Sequence, residues 1–255
     1  MELIFLGTGT SQGIPVIACD CEVCKSPASK DKRLRTSALI KTKDTTICID
    51  AGPDFRQQML REDVKDLDAI LITHNHKDHT GGLDDVRAFN WVHQRPMDVF
   101  VQQNDIESLK NDYMYAFEDF KYPGVPKINL KKIPNSVFSI NSQNIIPIHA
   151  MHLKMPVVGF RIGNLSYLTD ANYIKKNELD KMKGSKVVII NALRKKKHIS
   201  HFNLDEAISI IQEIKPEKAY LTHISHQMGF HKEVQKELPE NIFLAYDGLR
   251  VTISE

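Results

Sequence analysis

The sequence predicts an α/β protein in which two β-sheets pack together and helices cover them. Short runs rich in Val, Ile, Tyr and Phe recur along the 255 residues and end at Gly, Asp, Asn or Pro, which is typical of strands. Segments with helical periodicity lie between these runs. Because strands occur in both halves of the chain, we expect two packed sheets with outer helices. We treat residues 1–255 as one domain, since no linker, low-complexity segment or clear repeat interrupts them.

Twelve runs are interpreted as strands. They are LIFLG, SALIKT, TICID, AILIT, DVFVQ, NIIPIHA, VVGFRIG, LSYLTD, KVVIINA, KAYLTH, IFLAYD and LRVTIS. The clearest helix is LDEAISIIQEIK, which carries acidic residues in its first turn and places five apolar residues on one face. Shorter helices are expected at PDFRQQML, GLDDVRAF, YIKKNELDKMK and HKEVQKEL.

Composition limits the classes of partner. A hydrophobic content of 42% allows a substantial core, and a formal net charge of +2 does not indicate a nucleic-acid-binding protein. No apolar run approaches the roughly 20 residues that cross a bilayer. The start, MELIFLGTGTSQGIP, lacks the basic and apolar regions of a signal peptide, so we expect a cytoplasmic protein without membrane attachment.

The stretch THNHKDHTGG concentrates metal-ligating side chains directly after a buried strand. His74, His76, Asp78 and His79 fall within six residues. Four ligands are too many for one metal ion that keeps an open position, so we expect two ions, with His74 and His76 on one and Asp78 and His79 on the other. A pair of metal ions about 3.5–4 Å apart is suited to the hydrolysis of phosphate esters.

Both ions need further ligands from distant positions. The candidates are His149, His152, Asp170, His198, His201, His223 and His226. Residues at strand ends are favoured: Asp170 ends the run LSYLTD, His223 ends the run KAYLTH, and His152 follows the run NIIPIHA. A carboxylate such as Asp170 can bridge two metal ions.

A second metal site is indicated by CDCEVC. Cys19, Cys21 and Cys24 supply three thiolates, and structural zinc commonly takes three Cys and one His. His226, three residues beyond His223, is the expected fourth ligand. A reduced loop without metal is the competing interpretation. Cys48 lies alone in an apolar strand and is interpreted as a small buried hydrophobic residue.

Two segments have no assigned role. Tyr113–Tyr122 contains five aromatic residues, which form either a helix packed on the core or a lid or dimer contact. Lys195–Lys197 either form a solvated surface run or contact a second phosphate of the substrate.

The motif His74-Asn-His76-Lys-Asp78-His79 is the HxHxDH signature, and the chain resembles the metallo-β-lactamase fold superfamily. The resemblance implies an α/β four-layer αββα sandwich. GTGTSQGIP, the Cys-x-Cys-x-x-Cys run, IDAGPDFRQQ, LTHISHQ and AYDG are similar to the branch that includes the phosphoribosyl 1,2-cyclic phosphate phosphodiesterases. This similarity extends over nearly the whole chain.

The resemblance also implies the ligand sets. One active-site metal ion, Zn²⁺ or Mn²⁺, is held by His74, His76 and His152. The other is held by Asp78, His79 and His223, with Asp170 between them. A structural Zn²⁺ is held by Cys19, Cys21, Cys24 and His226. Asp50 supports a ligand histidine, and His201 lies near the bound phosphate.

The expected activity is metal-dependent hydrolysis of a phosphodiester in a small, cyclic or nucleotide-like substrate. Asp78 would orient the attacking water, and His201 would bind the phosphate or protonate the leaving group. A tRNA-processing endonuclease of the same fold is less favoured, because no protruding basic arm is evident. Two further hypotheses are a thioester hydrolase and a non-catalytic binding module. The aromatic segment is compatible with a homodimer.

Overall fold

The computed structural model describes residues 1–118 and 123–254, and within them the chain forms fifteen strands and nine α-helices. The strands are β1 (Glu2–Gly7), β2 (Ser37–Lys41), β3 (Thr46–Ile49), β4 (Ala69–Leu71), β5 (Met97–Val101), β6 (Ile128–Lys132), β7 (Phe138–Ile140), β8 (Gln143–His152), β9 (Met155–Ile162), β10 (Leu165–Leu168), β11 (Tyr173–Ile174), β12 (Val187–Asn191), β13 (Lys218–Thr222), β14 (Ile242–Leu244) and β15 (Arg250–Thr252). The helices are α1 (Glu22–Lys25), α2 (Phe55–Arg61), α3 (Lys77–Thr80), α4 (Arg87–His93), α5 (Ile106–Asp112), α6 (Met114–Phe117), α7 (Lys176–Asp180), α8 (Leu204–Ile214) and α9 (His231–Glu237).

The described strands form two sheets. The first has the order β15-β1-β2-β3-β4-β5-β6, and the second has the order β11-β8-β9-β10-β12-β13-β14 with β7 paired to β8. Strands β3 to β6 run parallel, as do β10, β12, β13 and β14. Parallel neighbours place their carboxyl ends at one edge of each sheet, which is where ligand sites form in such sheets.

Three clusters of buried apolar side chains separate four layers. One fills the space between the sheets, one lies between the second sheet and α8 and α9, and one lies between the first sheet and α2, α4 and α5. Strand β1 shows the consequence, because Leu3 and Phe5 face the other sheet while Ile4 and Leu6 face the helices. Strands that are buried on both faces have continuous apolar sequences, and LIFL in β1 is an example. The expected four-layer αββα sandwich is confirmed.

Local signals explain several elements. Helix α8 begins with a capping box, in which the Asn203 side chain accepts from the Glu206 N–H and the Glu206 carboxylate accepts from the Asn203 N–H. All twelve strand-like runs contain strands of the structure. Strands β6, β7 and β11 were not predicted. The proposed helix YIKKNELDKMK is partly wrong, since Tyr173 and Ile174 pair with β8 and only Lys176–Asp180 is helical.

Helix α7 covers an open part of the β8 edge. Between its pairing with β7 and its pairing with β11, β8 exposes the Pro147 carbonyl and the His149 N–H. The Lys181 ammonium donates to the Pro147 oxygen at 3.0 Å, and the Glu178 carboxylate accepts from the His149 N–H at 2.7 Å. An unpaired strand edge is a template for aggregation, and this ion pair closes it. The backbone of His149 therefore takes part in closing this edge.

The aromatic segment divides into two kinds of side chain. Tyr113 is 8% exposed and its hydroxyl donates to the Thr80 carbonyl at 2.7 Å, so it packs on the core. Tyr115 is exposed, and so is Trp91 on the neighbouring α4. Phe120 and Tyr122 lie outside the described residues. No helix in the ranges described is long and apolar enough to cross a membrane.

Candidate metal centres

The predicted site residues converge at one end of the sandwich, at the carboxyl ends of strands from both sheets. Asp50 follows β3 directly, His223 follows β13 directly, and Asp170 follows β10 after one intervening residue. All three adopt left-handed backbone conformations, with φ of 62° for Asp50, 54° for His223 and 56° for Asp170. Such conformations cost about 1–3 kcal/mol each in non-glycine residues and cluster at functional sites, because they turn a side chain away from its strand. Here they turn the side chains toward a common point.

Asp170 lies at the centre of this arrangement and is 2% exposed. Its Oδ1 is 2.9 Å from His201 Nε2 and 3.0 Å from His223 Nε2. Its Oδ2 is 3.0 Å from His79 Nε2. One carboxylate therefore faces three imidazoles from three separate segments, which is the position expected for a ligand shared by two metal ions.

His79 is held by the first sheet. Its Nδ1 lies 2.6 Å from Asp50 Oδ2, and Asp50 also accepts from the Thr73 N–H and hydroxyl at 2.8 and 2.9 Å. A histidine that donates one ring N–H to a carboxylate presents its other nitrogen to a metal ion, with the tautomer fixed. The buried His79 Nε2 is oriented in this way toward Asp170 and Asp78.

The same principle applies to His152, whose Nδ1 lies 2.8 Å from the Ser200 carbonyl. His74 is fully buried, and its Nδ1 lies 3.0 Å from the Thr73 hydroxyl. The Nδ1 of the exposed His76 is 3.0 Å from His74 Nε2. The ring centroid of His152 lies 5.8 Å from that of His74 and 5.3 Å from that of His76.

Within residues 1–118 and 123–254, three overlapping groups at this end place their ligand atoms within 4.8 Å of one another. They are Asp78, His79 and His223; His74, His79 and Asp170; and His152, Asp170 and His201. The structure thus brings together the predicted trio of Asp78, His79 and His223. It does not bring His74, His76 and His152 together as closely, since His76 belongs to none of the groups.

The electrostatics favour neutral imidazoles around an ionised carboxylate. Burial lowers the pKa of His74 and His152 and lowers that of His223 to about 4. Burial would raise the pKa of Asp170, but His223 and His79 lower it well below its usual range. His79 differs, because Asp50, Asp170 and Asp78 together outweigh burial and raise its pKa. A neutral imidazole and a carboxylate are the forms that bind metal ions.

A second, independent observation indicates that these side chains suit divalent metal ions. His79 Nε2, which faces Asp78 and Asp170, is a buried side-chain atom without a hydrogen bond. Buried polar atoms are normally hydrogen-bonded, so such an atom calls for an ion or another missing partner. Imidazole nitrogens and carboxylate oxygens are ligands for Zn²⁺ and Mn²⁺.

The second predicted site also assembles. The His226 Nδ1 lies 3.3 Å from the sulfurs of Cys19 and Cys21 and 3.6 Å from that of Cys24, and all four ligand atoms fall within 4.8 Å of one another. The Cys24 N–H donates to Cys21 Sγ and lowers the pKa of Cys21 to about 6, whereas burial raises the pKa of Cys24 to about 11. The four atoms form a Cys₃His group of the composition used for structural zinc.

A glycine lets the first-sheet loop approach the HxHxDH loop. A Cβ on Gly52 would lie 1.9 Å from the Asp78 carbonyl oxygen. The preceding residue, Ala51, donates its N–H to the His79 carbonyl at 2.8 Å. Because a Cβ at position 52 would collide with the Asp78 backbone, this close approach of the two loops requires glycine. The segment IDAG therefore positions Asp78 and His79 and also supplies Asp50.

The basic run is a surface feature. Lys195 pairs with Glu237 at 2.6 Å, and Lys197 lies 3.7 Å from Glu206. Arg194, for which the sequence predicted no role, lines a cleft of about 210 Å³ together with Thr10 and His198. Thr10 and Thr73 were also not predicted, because a lone threonine carries no spacing signal.

Comparison with solved structures identifies relatives over the full chain. A structure described as a new diphosphatase from the PhnP family is 34% identical, with a TM-score of 0.92, and the match covers 99% of this chain and 98% of that one. Zn²⁺-bound PqqB from Methylobacterium extorquens is 16% identical with a TM-score of 0.81, and the match covers 99% of this chain and 100% of that one. At that identity the second likeness concerns the fold alone.

A curated relative is a protein named octanoyltransferase from Porphyromonas gingivalis. It is 40% identical over 258 residues, which cover 100% of this chain and 52% of the relative. The chain therefore spans about half the length of this relative. The octanoyltransferase name therefore describes a protein about twice as long.

A family model described as the beta-lactamase superfamily domain matches residues 45–224, which is more than half of the chain and includes the HxHxDH loop, Asp170 and His223. The fold, the residues at the strand ends and this match agree. The chain belongs to the beta-lactamase superfamily and has the metallo-β-lactamase fold of a hydrolase.

Proposed function

We propose that the chain is a metal-dependent phosphodiesterase that acts on a small phosphate ester. The observation that carries the proposal is the position of Asp170, whose two oxygens face His79, His201 and His223 at 2.9–3.0 Å. A carboxylate that faces several imidazoles in this way can lie between two groups of metal ligands. The full-length relative described as a PhnP-family diphosphatase supports chemistry at phosphorus.

Two metal ions would be held by separate sets of residues. His74, His76 and His152 would hold the first, Asp78, His79 and His223 the second, and Asp170 would lie between them. When bound, the ions supply Lewis acidity for the phosphoryl group and for an attacking water. The Cys19, Cys21, Cys24 and His226 group would hold a structural zinc and order the N-terminal loop.

The residues of the chain have distinct tasks in such a reaction. Asp78 lies 13% exposed at the open side of the cluster, where its carboxylate can orient the attacking water. His201, 11% exposed, is positioned through its Nε2 contact with Asp170 and can bind the phosphate or transfer a proton to the leaving oxygen. Asp50 and Thr73 hold His79, and the Ser200 carbonyl holds His152 in the tautomer that leaves Nε2 free.

The proposal is tested by a substrate panel with the purified protein loaded with Mn²⁺ or Zn²⁺. The panel contains bis(p-nitrophenyl) phosphate, a 2′,3′-cyclic nucleotide, pre-tRNA, S-lactoylglutathione and an octanoyl thioester. Turnover of the first two, lost in Asp78→Ala and His79→Ala proteins that still fold, is the expected result. Metal analysis should find three ions per chain. Turnover of only the thioesters would reject the phosphodiesterase assignment, and activity retained in Asp78→Ala would reject the proposed role of Asp78.

Hydrolysis of a diphosphate is a second candidate, and the description of the 34%-identical relative favours it. The same residues would serve, because both reactions place charge on oxygens around phosphorus. A diphosphate ester added to the panel separates the two. Preference for the P–O–P bond over the cyclic phosphodiester would select diphosphate hydrolysis.

A further inference from the structure

The Cys₃His group differs from the active-site cluster in its exposure to solvent. Cys21 is exposed, Cys19 is partly exposed and Cys24 is buried. The ligand atoms of these cysteines and of His226 lie within 4.8 Å of one another. A reagent in solution can therefore reach Cys21, whose sulfur has two further thiols beside it.

Cys21 and Cys24 form a pair that suits disulfide formation. Two residues separate them, which is the Cys-x-x-Cys spacing of reactive dithiol pairs. The Cys24 N–H donates to Cys21 Sγ at 3.4 Å, so the backbone of the second cysteine contacts the sulfur of the first. Oxidation of a thiol depends on its exposure and its thiolate character. When zinc is bound, it keeps the sulfurs of the group as thiolates.

The loop that carries the cysteines has a small apolar core of its own. Its buried members are Ile14, Val23 and Cys24, and the neighbouring Ile17 is 94% exposed. In a segment with so little buried apolar surface, metal binding supplies a large part of the folding free energy. The order of this loop therefore depends on the Cys₃His group.

A short segment joins the Cys₃His group to the active site. His226 lies three residues after the proposed active-site ligand His223. Between them, Ile224 donates its N–H to the Thr8 carbonyl at 2.9 Å and accepts from the Thr10 N–H at 3.1 Å. Thr10 Oγ1 lies 3.2 Å from His223 Nε2. A displacement of His226 therefore acts on the segment that holds His223.

We propose that Cys21 is an oxidation site, at which a peroxide forms a disulfide between Cys21 and Cys24, releases the structural zinc and weakens metal binding through His223. The inference goes beyond hydrolysis at phosphorus and rests only on the structural zinc of the proposed function. It makes the N-terminal loop a redox-sensitive support of the active site.

The reaction is balanced with the peroxide as the oxidant. The Cys21 thiolate attacks one peroxide oxygen, the O–O bond breaks and hydroxide leaves, which gives a sulfenic acid. The Cys24 thiolate then attacks the Cys21 sulfur, forms the S–S bond and expels a second hydroxide. The two sulfurs lose two electrons and the peroxide gains them. One thiolate and one imidazole remain, which is fewer than the four ligands of structural zinc.

The test treats protein that carries Zn²⁺ at the Cys₃His group and Mn²⁺ at the active site with hydrogen peroxide. A thiol reagent counts free cysteines after unfolding, and a chelating indicator measures released zinc. We expect the count to fall from four to two while one zinc ion per chain is released. Dithiothreitol with zinc should restore both values. Active-site Mn²⁺ affinity, measured by competition, should fall by about 10–100-fold on oxidation, as when a metal ligand loses its support.

Three variants separate the role of Cys21 from simple loss of zinc. Cys21→Ser should keep its three remaining thiols at the peroxide dose that oxidises wild type. Cys19→Ser is the matched control, because it also removes a zinc ligand but keeps the Cys21–Cys24 pair, and it should still lose two thiols. Cys48→Ala should behave as wild type, because Cys48 is 0% exposed.

Four results would overturn the inference. They are wild type without zinc at the Cys₃His group, zinc retained after two thiols are lost, equal thiol loss in Cys21→Ser and wild type, and unchanged Mn²⁺ affinity after oxidation. None of these readouts requires a substrate. Absence of phosphodiester turnover would therefore reject the proposed hydrolytic function alone.

Discussion

Asp50→Asn tests whether the first sheet sets the tautomer of His79. The Asp50 carboxylate is fully buried and accepts three hydrogen bonds, from the Thr73 N–H, the Thr73 hydroxyl and His79 Nδ1. Asparagine keeps one oxygen and replaces the other with an NH₂ donor. In one orientation the NH₂ faces His79 and Thr73 Oγ1, and in the other it faces the Thr73 N–H. A donor–donor contact arises either way.

The structure sets the size of the effect. One buried donor left unsatisfied costs about 1–3 kcal/mol, so the unfolding free energy should fall by that amount. A His79 that no longer donates through Nδ1 holds its metal less firmly, and loss of such a supporting contact typically weakens metal binding by about 10–100-fold. Turnover should fall in parallel at limiting metal.

Competition with a chelating indicator measures metal affinity, and urea unfolding measures stability. Asp247→Asn is the control, because Asp247 also accepts from a hydroxyl (Thr8, 2.7 Å) and a backbone N–H (Leu34, 2.7 Å) but contacts no proposed ligand histidine. It should lose stability and keep wild-type metal affinity. An Asp50→Asn protein with unchanged metal affinity would refute the reasoning about the His79 tautomer.

Three further substitutions have expected outcomes. Cys21→Ser should lower the zinc content by one ion per chain and lower the melting temperature, because the Cys₃His group loses a ligand. Gly52→Ala should reduce turnover by about 100-fold or more and destabilise the fold, since the added Cβ would lie 1.9 Å from the Asp78 carbonyl and displace the HxHxDH loop. Burial, together with Arg33, lowers the pKa of His231 to about 4, so the unfolded chain takes up a proton between about pH 6.5 and 4 that the folded chain does not. Stability should therefore fall as pH falls through that window, and His231→Asn should make the fall shallower in urea titrations.

The first two substitutions have matched controls. Cys48→Ala should keep the zinc content, because Cys48 lies in β3 away from the other thiols. Gly163→Ala, whose Cβ would lie 3.7 Å from its nearest neighbour, should show only the cost of its φ of 55° and retain turnover. Unchanged zinc in Cys21→Ser, full turnover in Gly52→Ala, or an unaltered pH profile in His231→Asn would each contradict the corresponding prediction.

The sequence by itself determined the features that depend on neighbouring residues. The density of His74, His76, Asp78 and His79 indicated a metal site, and three cysteines within six residues indicated a second. Strand composition indicated most of the two sheets, and the acidic first turn of LDEAISIIQEIK indicated the start of α8. These signals are local, because residues a few positions apart in the chain are necessarily close to one another in space.

Residue spacing left seven distant candidate ligands open, and only the tertiary structure decided how they meet at one site. Asp170 faces His79, His201 and His223 because strands of two sheets end at the same side of the sandwich and because left-handed residues turn the side chains inward. The same packing places Arg194, and not Lys195–Lys197, in the cleft beside them. These positions depend on sheet order and register, which are determined by contacts between residues far apart in the sequence. A local sequence pattern therefore does not predict them.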